Sequence, residues 1–281
     1  MMNLFPIKFK KAAAIGMGTW HMGEEPDKRA QEIKALQTGI EHGLTIIDTA
    51  EMYGEGLSEE LVGEAIKPFP RDTLTLVTKV YPWHASREKM RLSLEHSLKR
   101  LQTDFVDLYL LHWRGDIPLE ETVEAFEQLK EEGKLKAWGV SNFDVSDMEE
   151  LETISTQCAT NQVLYNMNNR GIEFDLLPWM HERNMPLMAY TPFGHGDTLK
   201  ANFVKNPILL ELAANHNCSI FQLLLAWCIR SREVITIPKS SNPEHVKANA
   251  KALELKLDDE ELNLINAIFP QPLHKVPLEV L

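Results

Sequence analysis

Eight short apolar runs, each followed by a stretch of helical periodicity or a helix-cap signal, limit what this chain is able to fold into. They span residues 15–20, 44–47, 74–79, 105–111, 135–140, 159–162, 186–190 and 234–237. Apolar runs of this length, bounded by polar or turn residues, read as buried strands. Between them, Ile33, Leu36 and Ile40, then Met90, Leu94, Leu98 and Leu101, then Leu119, Val123, Phe126 and Leu129 recur at spacings of three and four. Those spacings predict helices with one apolar face. Gly43 and Gly133 follow two of these patterns as stops, and Asp144, Ser219 with Gln222, Asn242-Pro243 and Asp258 with Glu261 mark helix starts. Strict strand–helix alternation predicts a parallel sheet covered by helices, and eight repeats favour a (β/α)8 TIM barrel. A doubly wound sheet is the alternative. The 281 residues are enough for one such barrel, so the expectation is a single domain over 1–281. Residues 3–11 alternate apolar and polar around Pro6, as a short hairpin does.

Composition removes several function classes. A formal net charge of −12 opposes a general nucleic-acid or anionic-membrane surface. No apolar run approaches the roughly 20 residues of a membrane span. Lys8, Lys10 and Lys11 precede a small apolar stretch, but that stretch is too short for a secretion signal. Cys158, Cys218 and Cys228 form neither a CxxC nor a paired framework, which suits a reducing cytoplasm.

The polar residues that close the apolar runs carry the chemistry. Asp48 ends the second run, Tyr53 follows in a loop flanked by Gly54 and Gly56, Lys79 ends the third and His112 the fourth. In a parallel barrel, strand C-termini share one face. A tyrosine with a reference pKa of about 10 is a poor proton donor at neutral pH unless tuned. A neighbouring ammonium is expected to lower that value, a carboxylate to fix the ammonium, and an imidazole to orient a substrate oxygen or relay a proton. This set suits protonation of a carbonyl oxygen as hydride reaches carbon. Taken one at a time, Asp48 reads as a cap, Tyr53 as a packed loop aromatic and Lys79 as a surface lysine; their joint placement at strand ends favours the chemical reading.

Ser141, Asn142 and Gln162, at the ends of the fifth and sixth runs, offer donors and acceptors suited to an amide such as nicotinamide, and Tyr190 offers a flat face for stacking. Lys239, Ser240, Ser241 and Asn242 place a cation and hydroxyls at a helix N-terminus, a pattern that suits a phosphate. Trp20, Trp83 and Trp113 follow predicted strands and are expected to line an apolar pocket. A Rossmann G-x-G-x-x-G fingerprint is absent: Gly16-Met-Gly18 is followed by His21 where the third glycine belongs. A metal-dependent barrel built on His21, Asp48 and His112 competes, without a paired-ligand motif to support it.

The segments Asp48-Thr-Ala-Glu-Met-Tyr53-Gly, Lys79, Asp107-Leu-Tyr-Leu-Leu-His112-Trp113, Gly139-Val-Ser-Asn-Phe143, Asn161-Gln162-Val163, Ala189-Tyr-Thr-Pro192 and Ile237-Pro-Lys-Ser240 together resemble the aldo-keto reductase family over nearly the whole chain. Within it the sequence is most similar to short bacterial members that reduce methylglyoxal and other small aldehydes. The resemblance implies a barrel whose floor is closed by an N-terminal hairpin, and an NADPH-dependent reductase without a metal. It implies Tyr53 as general acid with Asp48, Lys79 and His112, a nicotinamide held by Ser141, Asn142, Gln162, Tyr190 and Thr191, and the adenosine phosphate end held by Lys239, Ser240, His245 and Asn249. Strongly NADPH-selective relatives carry arginine at the position of His245, so some use of NADH is expected here. Short segments after Tyr190 and Phe269 predict small substrates and broad specificity. The remaining expectations are a monomer or weak dimer acting on a small carbonyl substrate in the cytoplasm.

Overall fold

The computed structural model describes residues 13–196, 202–231 and 233–281. The hairpin expected over 3–11 lies outside the described residues, as does part of the segment after Tyr190.

The described residues contain eight strands: β1 (Met17–Gly18), β2 (Ile46–Asp48), β3 (Thr75–Val80), β4 (Val106–Leu111), β5 (Leu135–Ser141), β6 (Asn161–Leu164), β7 (Leu187–Tyr190) and β8 (Val234–Thr236). All pair in parallel and in chain order. The ring closes between its first and last members. Gly16 N donates to Thr236 O at 2.8 Å, Thr236 N to Ala14 O at 2.9 Å and Gly18 N to Pro238 O at 3.1 Å. Closure at this seam depends on glycine, because a Cβ on Gly18 would lie 2.7 Å from Ile237 O. The architecture is the eight-stranded barrel that the alternation predicts.

Helices cover the outside: α1 (Arg29–Glu41), α2 (Leu57–Ile66), α3 (Arg87–Leu101), α4 (Leu119–Glu131), α5 (Val145–Ile154), α6 (Leu176–Glu182), α7 (Pro207–Asn215), α8 (Ile220–Cys228), α9 (Pro243–Lys251) and α10 (Asp259–Ile268). The periodic residues face inward as spaced: Met90, Leu94, Leu98 and Leu101 on α3, and Leu119, Val123, Phe126 and Leu129 on α4, are all buried. Asp144, Ser219 and Asp258 each form a reciprocal capping box with the residue three positions on. Among the described residues no single helix is long and apolar enough to cross a membrane.

The strand period of two places the functional layer above the core. Ile46, Val77, Leu108, Leu110, Ala137, Met188, Ile235 and Ile237 fill the barrel interior. Two residues further along the same strands, on the same inward parity, stand Asp48, Lys79, His112, Tyr190 and Lys239, with Ser141 four beyond Ala137. The apolar plug thus forms the floor on which the polar layer rests.

Candidate active site

The polar layer opens into a cavity of about 350 Å³ at the strand C-termini. Asp48, Tyr53, His112, Ser141, Asn142, Gln162, Tyr190, Thr191 and Lys239 all line it, with Trp20 and Trp113 on its walls. Lys79 lies just beneath, fully buried.

Asp48, Lys79 and Tyr53 form one linked unit. Lys79 Nζ donates to Asp48 Oδ1 at 2.7 Å, to the Thr49 carbonyl at 2.9 Å and to Tyr53 Oη at 3.0 Å. All three of its N–H bonds are therefore used. Asp48 is held on its other side by Gln162 Nε2, 2.8 Å from Oδ2. Burial works to strip Lys79 of its proton, but Asp48 and the Tyr53 oxygen outweigh it and hold the pKa above the ordinary lysine range. Lys79 is thus a fixed cation. Tyr53 leaves β2 in a loop whose next residues, Gly54, Glu55 and Gly56, have φ values of 57°, 53° and 96°. This left-handed run turns the chain sharply into α2 and leaves Tyr53 facing the barrel mouth.

The Tyr53 phenol departs from the simple expectation. Burial raises its pKa; Lys79 pulls it down, Asp48 pushes it up, and burial prevails. Lys79 acts in the expected direction without carrying the balance, so in this state the phenol keeps its proton. His112 lies edge-on to Tyr53 with ring centroids 5.9 Å apart. Burial and the nearby Lys79 charge hold its imidazole well below the usual range. It is therefore neutral near pH 7, offering one donor and one acceptor nitrogen, and its buried Nδ1 has no partner among the described residues.

The amide-fitting residues are cross-braced. Ser141 Oγ donates to Gln162 O at 2.8 Å. Asn142, at φ 59°, donates from Nδ2 to His112 O at 3.2 Å and accepts at Oδ1 from Tyr190 Oη at 2.9 Å. Asn142 Nδ2 keeps one further N–H to donate and Oδ1 one further lone pair to accept. Gln162 donates from Nε2 to Asp48 and Met188, which leaves its Oε1 as an acceptor. Donor and acceptor are what a carboxamide needs, so this set fits a nicotinamide. Lys239, Ser240 and His245 lie at the far end, around the N-terminus of α9, and Asn249 lies in the last turn of that helix. There Asn242 accepts from Glu244 N at 2.9 Å, Lys239 and His245 are exposed, and Asn249 is buried.

Trp83, expected in the pocket, and His21, a ligand in the competing metal reading, stand apart. Trp83 does not line the cavity: the turn Pro82–His84 carries it past the barrel lip, half-exposed and stacked on Tyr81 at 4.3 Å. His21 does not join Asp48 and His112; it is exposed and sits 3.1 Å from Glu24. Among the described residues no three His, Cys, Asp or Glu side chains gather as metal ligands. Cavity residues that the sequence did not single out are Met52, Phe193, His195 and Leu281. The segment after Phe269 is short yet reaches the site, because Lys275 bridges Asp144 and Asp175 at 3.0 and 2.7 Å and Glu279 accepts from Asn169 at 2.6 Å. No periodicity marks such a strap in the sequence.

The sequence profile of the aldo/keto reductase family matches residues 14–269. The chain is 48% identical to the methylglyoxal reductase YeaE of Escherichia coli, covering 95% of this chain and 94% of that protein. It is 33% identical to a glyoxal reductase of Bacillus subtilis, over 90% and 88% of the two chains. Among solved structures, an aldo/keto reductase of Klebsiella pneumoniae in complex with NADP and acetate is 50% identical, covers 96% of both chains and superposes with a TM-score of 0.94. Profile, relatives and barrel agree, and the chain belongs to the aldo/keto reductase family of oxidoreductases.

Proposed function

We propose that this chain reduces small aldehydes and α-dicarbonyls of the methylglyoxal type to alcohols with NADPH, Tyr53 serving as general acid. The single observation that carries the reading is the Asp48–Lys79–Tyr53 unit facing a neutral His112 at the cavity floor. The methylglyoxal reductase among its relatives and the NADP complex of the Klebsiella protein support the substrate class and the cofactor.

Ser141, Asn142 and Gln162 would hold the nicotinamide carboxamide, with Tyr190 and Thr191 against the ring. Lys239, Ser240, His245 and Asn249 would receive the adenosine phosphate end. When bound, the reduced nicotinamide supplies hydride to the carbonyl carbon. The protein's own task is the proton and the position of the oxygen. His112 and Tyr53 seat the carbonyl oxygen between them. Tyr53 then donates its phenolic proton to the oxygen as negative charge builds there, and the tyrosinate left behind is stabilised by Lys79, 3.0 Å away. Asp48 keeps Lys79 aimed and charged. Trp20 and Trp113 exclude water around the reacting atoms. We place this activity in the cytoplasm, carried by a monomer or weak dimer.

The test is turnover of methylglyoxal with NADPH, followed at the nicotinamide absorbance, for wild type and Tyr53→Phe. General acid catalysis contributes about 10²–10⁴-fold, so kcat should fall by at least about 10² while the NADPH Kd is unchanged. Turnover of the variant at the wild-type rate would remove Tyr53 from the role.

A further inference from the structure

Glu51 stands two residues before Tyr53, and its side chain is only 9% exposed. Its Oε1 accepts the Tyr81 N–H at 2.7 Å and lies 3.1 Å from His84 Nδ1. Its Oε2 accepts from Ser93 Oγ, which in turn accepts from the Tyr109 hydroxyl at 3.3 Å. Its own backbone N–H reaches Lys79 O at 3.4 Å. One carboxylate therefore joins the Tyr53 loop to the end of β3, to the turn Pro82–His84 and to α3. Filling space would take an apolar side chain; collecting donors from separate elements takes an acceptor with two oxygens.

Two of the groups that Glu51 collects, the Tyr81 N–H and His84, belong to the aromatic wall beside the cavity, and the third, Ser93, belongs to α3. Tyr81 stacks on Trp83 at 4.3 Å and meets Trp113 edge-on at 6.0 Å. Trp83 meets Trp113 at 5.7 Å, and Trp113 lies 4.9 Å from His112 and lines the cavity. Glu51 supplies the hydrogen-bonded tie from this wall to the Tyr53 loop, beside the ring contacts that run from Trp113 through His112 to Tyr53.

We propose that Glu51 is a positioning residue that locks the Tyr81–Trp83–Trp113 wall to the Tyr53 loop and so sets the fit of substrates large enough to touch that wall. This rests on the reductase reading above. On that reading a three-carbon dicarbonyl would fit between Tyr53 and His112, whereas an aryl aldehyde would extend to Trp113, which lines the same cavity. Loosening the wall then penalises the aryl substrate selectively.

The experiment compares wild type, Glu51→Ala and Glu51→Gln with NADPH, on methylglyoxal and on benzaldehyde, alongside the NADPH Kd by fluorescence. Glu51→Ala should raise KM for benzaldehyde about tenfold, the scale of one lost buried hydrogen bond. KM and kcat for methylglyoxal and the NADPH Kd should change by less than about threefold on the same scale. Glu51→Gln should restore KM for benzaldehyde, because its amide oxygen still accepts the Tyr81 N–H and its amide nitrogen still reaches Ser93. Equal losses on both substrates, or a failure of Glu51→Gln to restore, would show that Glu51 merely braces the fold and overturn the proposal. Should Glu51→Ala not fold, Glu51→Asp, one methylene short of Tyr81, carries the same comparison. Wild type inactive on both substrates would sink the reductase reading instead.

Discussion

Lys79 carries a full charge where water cannot reach it, and among its three partners Asp48 does most to make that tolerable. Its side chain is 0% exposed and Asp48, 2.7 Å away, is 2% exposed. Removing one member of a buried pair leaves the other uncompensated, at a cost of about 3–5 kcal/mol. Lys79→Met should therefore destabilise the protein by roughly that amount, read from urea midpoints at constant m. Lys79→Met combined with Asp48→Asn removes both charges and should recover most of the loss, while turnover stays abolished. A double variant as unstable as the single would mean that the pair is not what the stability depends on. His112 gives a second residue-scale effect, of defined sign. Burial holds its folded pKa well below the ordinary histidine value, so the unfolded chain takes up a proton first as pH falls. Its contribution to stability is complete above about pH 6.5 and declines below it. The drop in Tm from pH 7 to pH 5 should be smaller in His112→Asn than in wild type; equal slopes would remove His112 from the acid response.

At the scale of elements, the proposed phosphate end of the site at the N-terminus of α9 is where a choice between two cofactors would be made. Gln31 Nε2 donates to Ser241 O at 3.0 Å and Ser241 Oγ lies 3.2 Å from Glu32 Oε1, so α1 clasps the segment that leads into α9. His245 stands exposed on the first turn. Arginine there would add a permanent, forked donor. A hydrogen bond to a charged group contributes about 1.5–3 kcal/mol, so His245→Arg should raise the NADPH-over-NADH ratio of kcat/KM by at least about tenfold. An unchanged ratio would show that His245 does not face the phosphate. The same scale explains what the sequence could and could not reveal. The residues that end β2, β3 and β4 were legible because strand parity is fixed: Ile46 and Val77 point inward, so Asp48 and Lys79 must. Parity carries less at the start of β6. β6 runs Asn161–Leu164, two residues later than the apolar pattern suggests, because Ala159 and Thr160 are extended and bonded to β5 without opening the strand proper. Gln162 faces inward beside its β5 partner Ser141, although Ala159, three residues earlier, also packs in the barrel interior, so a period of two does not hold across this start. Trp83 and Glu51 had no strand parity to place them. Trp83 sits on a turn that leaves the barrel lip, and the partners of Glu51 lie 30 to 42 residues away in sequence.

For the molecule as a whole, charge and cavity act in the same direction on substrate choice. The chain carries a net −12, so an anion approaches against the overall field. Inside, the groups nearest the reacting oxygen are already matched or neutral: Lys79 is paired with Asp48 and His112 has lost its proton, while Arg114 pairs with Glu150 at 2.9 Å through one nitrogen and Lys239 stands exposed on the cavity wall. A carboxylate carried beside the carbonyl would shed water where neither Lys79, already committed to Asp48, nor the neutral His112 offers it a counter-charge, which is unfavourable for a charged group. Methylglyoxal should therefore exceed glyoxylate in kcat/KM by at least about tenfold at pH 7 and low salt, a difference of about 1.4 kcal/mol. Turnover is the right readout, since a carboxylate can seat its own oxygens near Tyr53 without presenting a carbonyl there. Ionic strength then separates the two causes. At about 1 M salt the screening length falls to about 3 Å, which removes the long-range repulsion and leaves the interior intact. If the glyoxylate deficit persists at high salt, the cavity makes the choice; if it vanishes, the surface charge does. Glyoxylate turned over as well as methylglyoxal at low salt would mean that a cation of this chain reaches the substrate after all, and Lys239, on the cavity wall, would be the first to replace.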